Sequence, residues 1–264
     1  MLEYKNKMLT LKNNNIFIAL FLLSVLTGCS STAQQQQEHS DPLESINRPI
    51  WTFNWQYLDK YVVEPASRNY VEYTPPVLRN GLFNIAKNLE EPATVINDLL
   101  QLKFADAAQS TGRFVLNSTV GIFGFFDPAS DFGWLRKREE FGEVLGVYGV
   151  NDGAYIMLPA LGPSSARDLT GLYVDQLYWP MAIIDFWPNV VRLTIKGLET
   201  RASLADQESL INDSLDSYTF IKNAYFQNMR YKVYDGNPPV EENTDEDDEL
   251  ESFMDEIDDG DQNN

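Results

Sequence analysis

The stretch that decides the fold is Asp41-Pro42-Leu43-Glu44-Ser45-Ile46-Asn47-Arg48-Pro49-Ile50-Trp51-Thr52-Phe53-Asn54-Trp55-Gln56-Tyr57. Asp41 can accept backbone N–H bonds, Pro42 suits a first helical turn, and Glu44 stands three residues after the capping position. Leu43, Ile46, Ile50, Phe53 and Tyr57 then recur at steps of three and four, which places them on one helical face. Trp51 and Trp55 widen that face, and Pro49 is expected to kink or interrupt the helix.

The same period continues downstream. Val77 to Leu89, Pro92 to Leu102 and Phe104 to Asn117 read as helices. Val191, Ile195, Leu198, Ala202 and Ala205 mark another, and Ile221, Tyr225, Met229 and Val233 mark the last, stopped by Gly236. Strand-like alternation is scarce; Tyr155 to Leu158, before Pro159, is the one fair candidate. The fold class expected is mainly α.

Upstream of this body, Lys5, Lys7 and Lys12 precede an apolar run from Ile16 to Leu26, which ends in Leu26-Thr27-Gly28-Cys29. A bilayer span needs about 20 apolar residues, so the run fits the core of a signal peptide. Cysteine directly after Leu-Thr-Gly is a lipobox, where the thiol accepts a diacylglyceryl group. Residues 1–28 are thus expected to be a lipoprotein signal peptide and Cys29 the lipidated first residue of the mature chain. Ser30 in place of aspartate favours the outer membrane. Residues 29–40, with Gln34 to Gln37, read as a flexible tether.

The formal net charge is -19. The tail from Glu241 carries -13 of it and the leader +2, which leaves about -8 on the body. No basic stripe is present to displace counterions, so nucleic acid is a poor partner. Residues 41–236 form the expected domain and 237–264 an acidic tail, separated by Asn237-Pro238-Pro239. Within the tail, Leu250, Phe253, Met254 and Ile257 fall on one helical face. They fit either a short helix that folds on docking a periplasmic partner or a solvated tail with scattered apolar residues.

Two stretches are more apolar than a small soluble domain needs. Phe114 to Phe126 includes Phe123, Phe125 and Phe126, and Leu172 to Trp187 includes Tyr178, Trp179, Phe186 and Trp187. Neither reaches spanning length. Each fits a helix lying in the membrane–water interface or an ordinary buried helix.

Catalytic machinery is missing from the body. His39 is the single histidine and lies in the tether, so no Ser–His or Cys–His pair can be built in the domain. Gly162-Pro163-Ser164-Ser165-Ala166 lacks the closing glycine of a nucleophile elbow. Glu90, Glu91, Glu139 and Glu140 read as helix-end and surface charges. No cofactor site, metal site or enzyme activity is expected.

The motifs also carry a family resemblance. Asp41 to Arg48, followed by Phe53-Asn54, resembles the opening motif of the MlaA (VacJ) phospholipid-transport lipoproteins. Arg79-Asn80-Gly81 leading to Asn88-Leu89-Glu90-Glu91-Pro92 is similar to the second motif. Arg113-Phe114, Asn117-Ser118-Thr119 and Gly124-Phe125-Phe126-Asp127 resemble the third. Phe141-Gly142, Leu145-Gly146, Leu158-Pro159, Leu161-Gly162-Pro163 and Arg167-Asp168 complete a match that runs from about Asp41 to Phe226. Ala154 departs from the family, which often has proline there.

The resemblance implies a compact, ring-like or disc-shaped helical domain partly embedded in the inner leaflet of the outer membrane. It implies lipid anchoring on the periplasmic side and a central amphipathic channel. Through that channel, phospholipid misplaced in the outer leaflet passes to a periplasmic lipid-binding shuttle of the MlaC type. Trimeric porin is an implied partner. Asn47, Arg48, Trp51, Asn54, Trp55 and Arg79 are the candidate channel or lipid contacts. Arg48 and Arg79 fit either lipid phosphate or an internal carboxylate. The alternative function is a scaffolding lipoprotein beside porin.

Overall fold

The computed structural model describes residues 41–239. Cys29 and the tail residues Leu250, Phe253, Met254 and Ile257 lie outside the described residues. Asp41 accepts the backbone N–H of Leu43 at 3.1 Å and opens the first helix, α1 (Glu44–Thr52). Its hydrogen bonding widens into a π-helical segment (Phe53–Val63) and narrows again as α2 (Glu64–Tyr73), giving one long rod. Pro49 does not interrupt this rod, contrary to the sequence expectation. Its missing N–H removes a single early helical bond, and the neighbouring side chains of Arg48 and Trp51 pin that turn from outside.

After the rod come α3 (Pro76–Asn88), α4 (Glu91–Leu100), α5 (Phe104–Thr119), the single turn α6 (Pro128–Asp131) and α7 (Phe141–Val147). Strands β1 (Tyr155–Leu158) and β2 (Gly162–Ser165) pair antiparallel, with Tyr155 opposite Ser165 and Leu158 opposite Gly162. Then follow α8 (Ala166–Asp175), α9 (Phe186–Ser203), α10 (Glu208–Asn212) and α11 (Ser217–Val233). Helix α4 packs on α5, α7 on α8, and α9 on both α2 and α3. The apolar core lies where α11, β1 and α1 meet, with Tyr155, Met157, Tyr218, Tyr225, Phe226 and Met229 buried against Ile50, Trp51 and Ile221.

Neither long apolar stretch is one helix. Phe114 to Phe126 leaves α5 at Thr119 and turns through Ile122, Phe123 and Gly124, all three with positive φ. Leu172 to Trp187 is the end of α8, a turn, a 3-10 turn (Met181–Ile183) and the start of α9. Pro180, which has no N–H to donate, lies in the connection and stops a continuous helix. An interfacial helix at either place is therefore corrected to a helix end plus an apolar turn. Among the described residues, no helix is long and apolar enough to cross a membrane.

The partition of side chains is inverted relative to a water-soluble domain. Among the described residues, seventeen polar or charged residues are buried against twelve apolar ones. Phe104, Ile122, Phe123, Phe132, Ile183, Phe186 and Trp187, by contrast, are all exposed. A water-soluble domain keeps unpaired polar groups out and bulky aromatics in, because each arrangement the other way costs free energy in water. Exposed apolar surface of this extent marks an interaction surface.

Candidate functional site

The candidate residues fall into two groups. On α1 and the π segment, Asn47 and Asn54 stand seven residues apart, so both face the same strand. Asn47 donates to the Tyr155 carbonyl at 2.9 Å and accepts from the Met157 N–H at 2.9 Å. Asn54 donates to the Leu158 carbonyl at 2.8 Å and accepts from the Ala160 N–H at 2.9 Å. The two amides act as a substitute strand along the free edge of β1, which satisfies backbone groups that would otherwise be orphaned. Asn47 is 1% exposed.

On the same rod, Arg48 forks onto Asp216, at 3.0 and 2.7 Å, and also donates to Glu44 at 2.6 Å. Asp216 caps α11 through the N–H of Tyr218, and the Arg48 guanidinium holds its carboxyl far below the usual range. Trp51 donates to Ser217 Oγ at 3.0 Å and stacks on Trp55, with ring centres 5.5 Å apart. Trp55 donates to Asn212 at 3.3 Å. These five residues fasten the rod to the hairpin, to the end of α10 and to the start of α11.

Arg79 belongs to the second group, on α3. Its guanidinium meets both oxygens of Glu199 on α9 at 2.9 Å and lies over the ring of Tyr70 from α2. For Arg48 and Arg79, the carboxylate partner allowed by the sequence is the one present. Arg79 and Glu199 line a cleft of about 670 Å³ between α2, α3 and α9. Its wall mixes Val71 and Ala202 with Glu64, Arg68, Glu72, Arg201 and Glu208. Arg201 is tied to Asp59 and Glu208, each at 2.8 Å. Its volume lies within the range of small-molecule binding sites.

The apolar exterior has identifiable construction. Phe123 is 78% exposed on the strained turn after α5, with Phe126 beside it. Trp179 is exposed and meets Phe114 edge-on at 5.8 Å, which couples the two apolar stretches. Phe186 and Trp187 are exposed at the start of α9, where Trp187 reaches 74%. Phe125 is half-buried, its ring filling the space where a side chain on Gly81 would go, and Tyr178 is half-buried too.

Sequence reasoning missed the buried charge cluster beneath these surfaces. Glu90, Glu91 and Glu139 are buried, not surface charges. Glu90 pairs with Arg192 at 2.6 Å, Arg136 at 3.1 Å and Lys196. Burial pushes the Glu90 carboxyl up, but Arg138, Lys196 and Arg136 outweigh it and bring it down to about 2. Glu91 meets Arg113 and Arg136, both at 3.2 Å. Glu140 meets Arg138 at 2.6 Å and Lys232 at 2.9 Å. Composition treats glutamate as surface, so the available signal was the motif pattern itself, which contains Glu90, Glu91, Arg113 and Asp127.

Two buried carboxyls run the other way. Burial, with Glu139 nearby, pushes Asp98 up to about 7, and burial pushes Asp175 up to about 6. Both are raised above their unfolded values, so the stability they contribute is complete at low pH and lost as pH rises through 6 to 7. Asp98→Asn is therefore expected to flatten the fall in melting temperature between pH 5 and pH 8, measured on the detergent-solubilised full chain. An unchanged pH slope would count against the assignment.

The chain matches known proteins over most of its length. The family model described as MlaA lipoprotein matches residues 39–232. The intermembrane phospholipid transport system lipoprotein MlaA of Haemophilus influenzae is 36% identical over 236 residues, covering 86% of this chain and 93% of that one. The protein of the same description from Escherichia coli K12 is 39% identical over 224 residues, covering 83% and 89%. A chain solved in work on the structural basis for maintenance of bacterial outer membrane lipid asymmetry superposes with a TM-score of 0.70 at 36% identity. It covers 74% of this chain and 99% of its own length.

Proposed function

The chain belongs to the MlaA lipoprotein family, and from that premise we propose that it removes misplaced phospholipid from the outer leaflet of the outer membrane. In this reading Cys29 anchors it on the periplasmic side. Phe123, Phe126, Trp179, Phe186 and Trp187 rest in the inner leaflet, where aromatic rings hold the interface. The cleft between α2, α3 and α9 is the lipid's route. Polar groups there solvate the headgroup while the apolar surround accommodates the chains, and movement down the lipid gradient needs no catalytic group or cofactor. A periplasmic lipid-binding protein of the MlaC type receives the lipid, and trimeric porin holds the assembly in place.

The observation that carries this reading is the inverted partition among the described residues, with charge buried within and bulky aromatics outside, together with a large amphipathic cleft. Labelling of surface-exposed phospholipid in cells lacking the chain tests it. Excess label, returning to normal when the gene is restored, is expected. Normal labelling without the chain would favour a scaffold beside porin.

A further inference from the structure

The cleft's charges are unequally satisfied. Four carboxylates and three guanidiniums line it. Arg79 and Arg201 are each bound by carboxylates of neighbouring helices. Arg68 is different: it stands largely in solvent on α2, and Glu64 engages one end of its guanidinium. Most of its five N–H donors remain available. Glu72, one turn further along the same face of α2, makes no hydrogen bond or ion pair among the described residues. Residues four apart on a helix stand side by side. An available guanidinium and an unpaired carboxylate are thus presented together on the wall.

Resting on the transport reading above, the geometry points to a headgroup subsite on this wall, selective for zwitterionic, amine-bearing phospholipid: Arg68 takes the phosphate and Glu72 the ammonium. A two-carbon ethanolamine link separates those charges by about the distance between neighbouring side chains of one helical face. A glycerol headgroup supplies the phosphate but no cation. It leaves Glu72 unpaired and adds a negative charge to a wall that already carries more carboxylates than guanidiniums. The subsite therefore discriminates by a missing partner as much as by attraction.

The test uses full-length lipidated protein in vesicles of equal phosphatidylethanolamine and phosphatidylglycerol, with a photo-crosslinking residue in place of Val71. Mass spectrometry reads the headgroup attached. Ethanolamine lipid is expected to exceed glycerol lipid by roughly three to one, the ratio an exposed ion pair supports. Glu72→Gln should bring the ratio close to one without changing the melting temperature. Equal crosslinking to both lipids in the parent protein, or a ratio that survives Glu72→Gln, would overturn the selectivity and leave lipid passage through the cleft intact. Absence of any lipid crosslink would overturn both the subsite and the cleft as the route.

Discussion

Arg113→Leu is expected to lower the melting temperature by about 10 °C or more, the largest single effect in the molecule. Arg113 is 3% exposed on α5. It donates to Glu91 at 3.2 Å, to Asp127 at 3.0 and 3.2 Å, to Ser130 Oγ at 3.2 Å and to the Trp134 carbonyl. Asp127 also accepts from Asn117 at 2.8 Å and caps α6, so one guanidinium links α4, α5 and the loop that follows α6. Leucine fills much of the volume but leaves Glu91, which is 1% exposed, short of a cation in a site that already pushes its carboxyl up. Breaking a buried pair from one side costs about 3–5 kcal/mol. For a domain of this size each kcal/mol moves the midpoint by about 2–4 °C. Arg113→Lys should recover little, because a single ammonium cannot fork onto Asp127 while reaching Glu91. Melting within a degree or two of the parent would remove the cluster from any central role.

Gly171→Ala is the second. Helices α7 and α8 approach so closely that an added Cβ on Gly171 would lie 2.7 Å from Gly142 Cα and 3.1 Å from the Phe141 carbonyl carbon, besides striking the Gly142 nitrogen. These are backbone atoms and cannot rotate away, so the helices must separate. Separation strains the contacts that Asp175, at the end of α8, makes to the Phe141 N–H at 3.2 Å and to Asn97 at 2.9 Å. Overpacking of this kind costs about 1–3 kcal/mol. Gly197→Ala on α9 is the control, since nothing lies within 4 Å of the added carbon. There the substitution should be neutral or slightly stabilising, because alanine loses less chain entropy in a helix. Equal melting temperatures for the two variants would contradict the packing described.

How far the sequence discloses this structure depends on which physical signal each part leaves. The opening helix is legible because Leu43, Ile46 and Ile50 follow the helical period, and α3, α4, α5, α9 and α11 are legible for the same reason. Strand β1 shows in Tyr155 to Leu158, whereas β2, Gly162-Pro163-Ser164-Ser165, has no apolar alternation and is held by pairing alone. Helix α2 is hidden because it buries little more than Ser67. Helices α7 and α8 are hidden because their contact is made of glycines, which hydropathy does not register.

The site divides along similar lines. The apolar runs single out Phe123, Phe186 and Trp187 but do not tell an exposed ring from a buried one, and the structure, with bent runs, leaves all three exposed. The partners of Arg48 and Arg79, Asp216 and Glu199, lie 168 and 120 residues away in sequence. No local pattern discloses contacts at such separations. The cleft wall from Glu64 to Glu72 leaves no signal in the sequence, since it carries no apolar period by which to read the helix.

The most direct measurement of the route is surface-exposed phospholipid in cells whose only copy carries Ala202→Trp. Ala202 lines the cleft on α9, and an indole there narrows it. With protein at the normal level and melting unchanged, surface label is expected to rise to that of cells lacking the chain. Label at the parental level in those cells would contradict lipid passage through this cleft.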